Sequence, residues 1–366
     1  MSREVRASES PFFTGKRAGM GKKKTVLITG GSGFFGLHLC RCMLDAGWQV
    51  KVFDLVPPDD PTVDGRVEYV KGDIRNLQQC VDAFQNVNAV IHNAAVVPIS
   101  RSGAGFLKIN VDGTRTVLDA CCETGMRKVV FISSSSVYGI PDRSPVDEAT
   151  PLNAFGDYGK SKAVAEGVCN TYRDRLDISI IRPRTILGTG RLGILQILFE
   201  WVKENRRFYV IGKGANRYQL VSAPDLAQAC RLACEKPCRG EDFNIGADEF
   251  TTLKGDLDGF ITAVGSTTKI ISIPPKLARN VLRFLDMLRI SPFVDYHYKI
   301  LNQDVWFDTS KAKRVLGWRA KDSNISMLAD AYHWYLEHED ELEEQVGTTH
   351  RKKVKLGIIK LVKWLS

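Results

Sequence analysis

Two side chains that could carry out proton chemistry stand four residues apart in the stretch DYGKSK. Tyr158 and Lys162 fall on the first turns of a predicted helix, and at this spacing they share one helix face. A lysine ammonium near a phenol favours phenolate and brings the phenol pKa down toward neutrality. Such a tyrosine can exchange a proton with a substrate hydroxyl or carbonyl group. Upstream, FISSSSVYG ends a predicted strand in four serines, residues 133–136, at the carboxyl edge of the sheet.

A glycine-rich turn, TGGSGFFG, stands between an apolar strand and a helix-like stretch. Gly30 permits a tight turn, Gly33 lets a pyrophosphate approach the backbone, and Gly36 lets the helix pack close to the strand. Phe34 and Phe35 open that helix, whose first turn offers unpaired N–H groups and a positive dipole to an anion. The turn predicts a dinucleotide-binding site made by these five residues.

A carboxylate closes the second predicted strand. Asp54 lies twenty-one residues beyond Gly33, where it would accept hydrogen bonds from the adenosine ribose hydroxyls and repel a 2′-phosphate. This favours NAD over NADP as the cofactor. The alternative is a carboxylate that only begins a loop.

Short runs rich in valine and isoleucine alternate with longer segments of helical periodicity. The runs are TVLIT (25–29), QVKVF (49–53), VEYV (67–70), NAVIH (88–92), KVVFIS (128–133) and DISII (177–181). Such alternation predicts an α/β fold with a doubly wound parallel sheet. After Pro183 the rhythm loosens, which predicts a smaller C-terminal substrate-binding lobe over the carboxyl edge, with parts that return to the sheet.

The predicted organisation has four parts: a basic flexible extension (1–24), a dinucleotide-binding domain (25–185), a substrate-binding lobe (186–345) and a basic amphipathic tail (346–366). The net charge is +9, of which the two ends, residues 1–24 and 350–366, contribute +11. The body therefore carries about −2, which argues against nucleic acid as a partner because a DNA-reading fold needs a basic face.

Export and metal binding are both disfavoured. Residues 1–24 lack the apolar core of a signal peptide and no apolar run reaches membrane-spanning length, which favours a cytoplasmic protein. The nine cysteines are then expected to be reduced thiols, and their spacing fits helix faces better than a zinc site. His92 and His297 have no metal-ligand partners at a usable spacing, so no metal is assigned.

Taken together and in this order, the motifs resemble those of an extended short-chain dehydrogenase/reductase of the NAD-dependent epimerase/dehydratase family. The resemblance runs from about Lys24 to Trp318. Its motifs are TGGSGFFG (29–36), GDI (72–74), HNAA (92–95), NVDGT (110–114), SSSSVYG (133–139), YGKSK (158–162), IRP (181–183) and FDTSKAKRVLGW (307–318). It implies a Rossmann fold, NAD as cofactor and a homodimer.

The resemblance also implies the catalytic roles. Tyr158 is the general acid/base, and Lys162 tunes it and binds the cofactor ribose. Ser134 occupies the place in the family's SSxxxYG pattern where a serine hydrogen-bonds the reacting oxygen, with Ser135 and Ser136 as alternatives.

Further cofactor-binding residues follow from the same resemblance. Asp73 and Ile74 would flank the adenine, Ala94 and Ala95 the central portion of the cofactor, and Pro183 the nicotinamide. Both Tyr158 and Lys162 also count among the residues that contact the cofactor.

One departure from the family bears on the reaction. Dehydratases of this group have an Asp-Glu pair directly after the catalytic Ser or Thr, whereas this chain has Ser135 and Ser136 there. Dehydration is therefore disfavoured. Epimerisation, alcohol oxidation and ketone reduction at a secondary alcohol or ketone remain, with Ser135 expected to contact the substrate.

Two substrate classes compete. Arg217 matches an arginine with which sugar-nucleotide members of the family hold the substrate diphosphate, and this makes a nucleotide sugar the leading expectation. Against it, a second phosphate-binding arginine is missing near residues 301–303. The apolar and basic segment 273–293 is similar to hydroxysteroid-dehydrogenase-like members, which favours a steroid or lipid-like alcohol. A non-catalytic NAD-binding scaffold is a third alternative.

The C-terminal RKKVKLGIIKLVKWLS, residues 351–366, has an apolar stripe flanked by lysines and a tryptophan. This pattern suits peripheral contact with an anionic membrane, which would place the protein at the inner face of a membrane. Packing on the protein itself or on a second subunit is the alternative.

Overall fold

The computed structural model describes residues 23–97, 105–190, 195–274 and 303–339. Apart from Lys23 and Lys24, the predicted extension lies outside these residues. So do the tail 346–366, His297, Leu301, Asn302 and all but the first two residues of the segment 273–293.

Each of the six runs predicted as strands forms a strand in the structure. The strands are β1 (Thr25–Thr29), β2 (Gln49–Asp54), β3 (Glu68–Lys71), β4 (Ala89–His92), β5 (Lys128–Ile132), β6 (Asp177–Pro183), β7 (Thr185–Leu187), β8 (Phe208–Ile211), β9 (Leu220–Ser222), β10 (Asp242–Ile245) and β11 (Ile270–Ile273). The β-branched content of β1, β4, β5 and β6 suits strands buried on both faces.

Seven strands form one parallel sheet in the order β10-β6-β5-β4-β1-β2-β3. The chain moves outward from β1 to β3 and then returns to place β4 on the other side of β1. Ligands of such sheets bind at the carboxyl ends of the strands where the order reverses. The doubly wound fold is therefore confirmed. β10 comes from beyond residue 185, while the predicted division of the chain at that residue stays a prediction.

Helices cover both faces of the sheet. They are α1 (Phe34–Asp45), α2 (Leu77–Ala83), α3 (Gly105–Leu107), α4 (Gly113–Glu123), α5 (Gly156–Asn170), α6 (Leu195–Lys203), α7 (Ala223–Glu235), α8 (Leu253–Ala263), α9 (Ser310–Leu316) and α10 (Asn324–Glu337). A π turn, Lys108–Asp112, joins α3 to α4. Side-chain caps begin several helices: Ser222 accepts from Asp225 N in α7, and Thr252 accepts from Gly255 N in α8.

Two apolar cores lie on the two faces of the sheet. Along β1, Val26 and Ile28 pack with α1 and α7, whereas Leu27 packs with α4 and α5 on the opposite face. The alternation follows from the two-residue period of a strand. A third core, among α6, α8 and α10, is built on the aromatic rings of Phe199 and Phe260, packed with those of α10.

All nine cysteines are free thiols, as expected. Within the described residues, no group of three or more His, Cys, Asp or Glu side chains could hold a metal ion. None of the helices described is long and apolar enough to span a bilayer.

Candidate active site

The glycine turn after β1 is held by close backbone contacts. Gly30 has a φ of +68°, and a Cβ there would lie 2.7 Å from Ala94 Cα. A Cβ on Gly36 would lie 2.2 Å from Gly30 O, so α1 can approach the turn only with glycine at this position. Asn93 Nδ2 also donates to Gly30 O at 3.0 Å. The roles predicted for these two glycines fit the geometry.

Gly33, unlike Gly30 and Gly36, has room for a Cβ. A Cβ at this position would meet only Gly30 O, at an ordinary 3.4 Å, so no close contact within the described chain demands glycine. Gly33 is the N-cap of α1, without a side-chain cap and without an acidic residue in the first turn. Backbone N–H groups at such a helix start suit a phosphate. Phe34 and Phe35 are buried in the core, so they offer such a ligand backbone N–H groups.

Asp54 ties the end of β2 to the glycine turn. Its Oδ2 accepts from Ser32 N at 3.1 Å and its Oδ1 from Leu55 N at 2.7 Å. Burial raises the pKa of the Asp54 carboxyl, and these backbone N–H groups oppose the rise. The partly exposed carboxylate keeps acceptor capacity beside the turn, which fits a ribose ligand.

At the predicted adenine end, Asp73 is paired with Arg75. Arg75 Nε donates to Asp73 Oδ1 at 2.9 Å, and these hydrogen bonds hold the pKa of the Asp73 carboxyl below its usual value. Ile74 is buried, and a Cβ on Gly113 would lie 2.5 Å from Ile74 Cδ1. The Ile74 side chain therefore packs closely against the first residue of α4. Sequence reasoning missed Arg75, although its spacing of two from Asp73 is a visible signal.

A neutral histidine at the end of β4 supports the loop that follows this strand. His92 bridges Thr29 Oγ1 (2.8 Å) and Thr114 Oγ1 (3.0 Å), and burial lowers the pKa of its imidazole to about 3. Thr29 Oγ1 also accepts from Ala94 N at 3.2 Å. Ala94 and Ala95 are partly exposed, and Ala94 lies beside Gly30 of the glycine turn.

Asn110, in the π turn, joins the same loop to α5. Its side chain accepts from Val96 N at 2.8 Å and donates to Val96 O and Ser161 Oγ. Ser161 Oγ in turn donates to Tyr158 O at 2.8 Å. π turns are frequent at functional sites. Asn110 lies in the motif NVDGT but was not among the predicted site residues.

Tyr158 and Lys162 lie one turn apart on α5. Tyr158 is partly exposed, and its ring stands edge-on to Phe106 at 6.1 Å. Lys162 is 3% exposed: its Nζ donates to Ile132 O at 2.8 Å and lies 4.9 Å from the Phe131 ring centroid. Burial lowers the pKa of the Lys162 ammonium to about 8. The ammonium is therefore fixed at the carboxyl end of β5.

The serine cluster forms a 3-10 turn after β5. Ser134 begins it, and its Oγ accepts from Ser136 N at 3.2 Å and from Ser136 Oγ at 3.0 Å. Ser134 and Ser135 are partly exposed, whereas Ser136 is buried. Ser133 donates instead to Glu166 Oε1.

A buried ionic network supports the serine turn. Arg182 pairs with Glu166 and Asp242, each at 2.8 Å, and its Nη1 donates to Tyr138 Oη at 2.8 Å. Tyr138 Oη donates to Asn244 Oδ1. The network connects α5, β6, β10 and the turn, so it fixes their relative positions. Sequence reasoning missed it.

The two remaining predicted residues are Pro183, expected to flank the nicotinamide, and Arg217, expected to bind the substrate. Pro183 is the last residue of β6 and is in register with Ile245 of β10. Arg217 is exposed: its N donates to Asp304 Oδ1 at 2.7 Å, and its guanidinium lies over the Trp306 ring at 5.4 Å. None of these contacts joins Arg217 to the serine turn or to α5.

A model of the NAD dependent epimerase/dehydratase family matches residues 26–246, the part of the chain that holds the glycine turn, the serine turn and α5. The chain belongs to this family. As a member it is an NAD-dependent oxidoreductase, and the open Gly33 position, the uncapped start of α1 and Asp54 fit NAD.

Two relatives and one solved structure show how this family member compares. The uncharacterized protein y4nG of Sinorhizobium fredii is 37% identical over 343 residues, 93% of this chain and 85% of the relative. Sterol demethylase protein B of Methylococcus capsulatus is 29% identical, over 86% of this chain and 98% of that protein. The structure of MoeE5 in complex with UDP-glucose and NAD has a TM-score of 0.68 at 25% identity, covering 86% of this chain and 99% of MoeE5.

Proposed function

We propose that the protein transfers a hydride at a secondary alcohol or ketone, with Tyr158 as general acid/base. NAD, when bound, accepts or returns the hydride at its nicotinamide ring. The observation that carries the proposal is the buried Lys162 ammonium, one helical turn from Tyr158 at the carboxyl end of β5. A positive charge there stabilises phenolate, so Tyr158 can take a proton from an alcohol or return one to a carbonyl oxygen.

The other predicted residues complete this site. Ser134 hydrogen-bonds the reacting oxygen, and Lys162 also contacts the nicotinamide ribose. Ala94, Ala95 and Pro183 line the cofactor along the strand ends. Asp54 holds the adenosine ribose. Asp73 and Ile74 would flank the adenine.

We propose an epimerase or ketoreductase reaction rather than a dehydration. Removing a carbon-bound proton and expelling water requires a carboxyl pair next to the reacting carbon. Ser135 and Ser136 stand in that place, and Ser136 is buried and committed to Ser134. The product should therefore not have lost the mass of a water molecule relative to the substrate, which mass spectrometry can check.

The leading substrate class is a nucleotide sugar. Arg217 supports it, because its exposed guanidinium rests on Trp306 and no carboxylate among the described residues pairs with it. A guanidinium that lies over an indole ring still presents its N–H groups to a diphosphate. The likeness to MoeE5, solved with UDP-glucose, is in line with this class.

A sterol or other lipid-like alcohol is the second candidate. The observation that favours it is the likeness to sterol demethylase protein B, which extends over nearly all of that protein. The missing second arginine near residues 301–303 points the same way.

A paired panel separates the candidates. Purified protein receives NAD or NADH with UDP-, GDP- or dTDP-sugars in one arm, and with 3β-hydroxysterols or long-chain ketones in the other. We expect bound NADH absorbance or new sugar isomers in the first arm, and a roughly tenfold higher KM in Arg217→Ala. Arg66→Ala, an exposed arginine elsewhere, is the matched control and should keep the wild-type KM.

Other results of the panel have definite meanings. Turnover in the sterol arm alone would replace the nucleotide sugar with a lipid alcohol. NAD binding without turnover in either arm would overturn the enzymatic proposal in favour of a binding scaffold.

We also propose that residues 351–366 bind an anionic membrane from the cytoplasmic side and that the protein is a homodimer. Cosedimentation with anionic liposomes should be lost in a chain that ends at Gly347, and equal pelleting would dismiss the tail as an anchor. Sedimentation equilibrium should give twice the chain mass of 40.8 kDa.

A further inference from the structure

The buried hydroxyl of Ser136 has one hydrogen-bond partner among the described residues. It donates to Ser134 Oγ at 3.0 Å, and Ser136 N donates to the same oxygen at 3.2 Å. Ser136 is 2% exposed. A buried O–H without an acceptor is costly, so the Ser136 O–H must point at Ser134 Oγ, its one acceptor among the described residues.

This arrangement decides what Ser134 can do. A serine hydroxyl has one proton to donate and two lone pairs that accept. Both lone pairs of Ser134 Oγ are taken by Ser136. The Ser134 proton must therefore point in the remaining direction, which makes the partly exposed Ser134 a donor with a fixed orientation.

A fixed donor is what the proposed reaction requires in both directions. The oxygen of a ketone can only accept hydrogen bonds. The oxygen of an alcohol gives its own proton to the Tyr158 phenolate and accepts one from Ser134. A Ser134 hydroxyl free to rotate would spend time as an acceptor, and it would then compete with Tyr158 for the alcohol proton.

A close backbone contact brings the first turn of α5, which carries Tyr158, against the serine turn, which carries Ser134. A Cβ on Gly159 would lie 2.8 Å from Ser136 O. The first turn of α5 can therefore touch the serine turn because residue 159 has no side chain. Gly159 directly follows Tyr158. The glycine in YGKSK thus brings the turn that carries the phenol against the turn that orients Ser134.

We propose that Ser136 is a positioning residue that fixes Ser134 as the hydrogen-bond donor to the reacting oxygen. This deepens the proposed function and rests on it. Ser136 acts through Ser134 and has no contact of its own with substrate, in contrast to its expected place as a substitute for Ser134.

A double-mutant cycle tests this proposal with the substrate that the panel identifies. Ser136→Ala should lower kcat roughly tenfold, the effect of one lost hydrogen bond, with KM and the Kd of NAD within about twofold of wild type. Ser134→Ala should lower kcat by roughly 10²-fold. Adding Ser136→Ala to Ser134→Ala should cost nothing further, because Ser136 then has no hydroxyl to orient.

A matched control separates orientation from general damage. Ser179, on β6, is fully buried and donates to Cys238 O at 2.9 Å. Ser179→Ala also removes one buried serine hydroxyl, so it should lower stability without changing kcat.

Each contrary result would overturn one of the two proposals and not the other. Wild-type kcat in Ser136→Ala, or losses that multiply in the double variant, would overturn the role of Ser136. Full activity in both Ser134→Ala and Tyr158→Phe, or no turnover by the wild-type protein, would overturn the proposed function instead.

Discussion

At the scale of single residues, the buried charge of Lys162 has a measurable energetic consequence. Its ammonium lies in the interior with a carbonyl and an aromatic ring as neighbours, and burial lowers its pKa from 10.5 to about 8. Glu166 and Cys169 act in the opposite direction. The site thus keeps a proton on Lys162 at neutral pH at a cost in folding stability.

This cost predicts a pH-dependent stability. Between pH 8 and 10.5 the unfolded chain binds a proton at Lys162 that the folded chain releases, so the contribution of Lys162 to stability rises with pH there, opposite to that of buried thiols such as Cys40 and Cys80, whose pKa burial raises. Lys162→Met should remove this rise, a slope of about 1.4 kcal/mol per pH unit. Urea unfolding without NAD at several pH values measures it, and parallel curves for the two proteins would contradict the assignment.

A second residue-scale prediction concerns the choice of cofactor. Asp54→Ala removes the charge that repels a 2′-phosphate and the acceptor of Ser32 N. NAD should bind more weakly and NADP should become a cofactor. Asp54→Asn keeps an acceptor oxygen without the charge, so it should admit NADP with a smaller loss of NAD affinity. Calorimetric titration with both cofactors checks this, and an unchanged preference for NAD over NADP would contradict the proposed role of Asp54.

At the scale of elements, the start of α1 depends on a contact too close for any side chain. Gly36→Ala would drive a Cβ to 2.2 Å from Gly30 O, so α1 must move away from the turn. We expect NAD binding to be lost together with several kcal/mol of stability. Binding titration and thermal unfolding measure the two effects.

A helical glycine elsewhere provides the control. In α5, a Cβ on Gly167 would meet nothing within 4 Å. Gly167→Ala should therefore stabilise the protein by about 1 kcal/mol, with NAD affinity unchanged. Equal effects of the two substitutions would show that the close approach of α1 does not matter.

The elements also show where sequence reasoning succeeds. The strand-forming runs and the glycine spacing are local patterns, and β1 and the turn at Gly30 follow them closely. The Arg182 network joins residues 16 to 60 positions apart, through Glu166 and Asp242, and nothing in either local stretch marks the pairing. The roles of Asn110 and Gly159 likewise depend on which loops meet in space.

For the whole molecule, two buried histidines predict sensitivity to acid. Burial lowers the pKa of His38 to about 4 and that of His92 to about 3. The unfolded chain binds protons at these residues below about pH 6.5, whereas the folded chain does not. Stability should therefore fall as pH drops from 6.5 toward 4, by up to about 2.7 kcal/mol per pH unit for the pair.

Substitution separates the two contributions. His92→Gln should remove about half of that slope, since one of the two linked protons disappears. Unfolding by urea between pH 4 and 7 provides the measurement, and an unchanged slope would show that His92 carries a proton in the folded protein.

The central claim is that a phenol beside a buried ammonium exchanges the proton while NAD exchanges the hydride. Tyr158→Phe tests it most directly, by turnover of the identified substrate and by the Kd of NAD. We predict NAD binding within about twofold of wild type and turnover lower by roughly 10²–10⁴-fold. Near-normal turnover in Tyr158→Phe would contradict the claim.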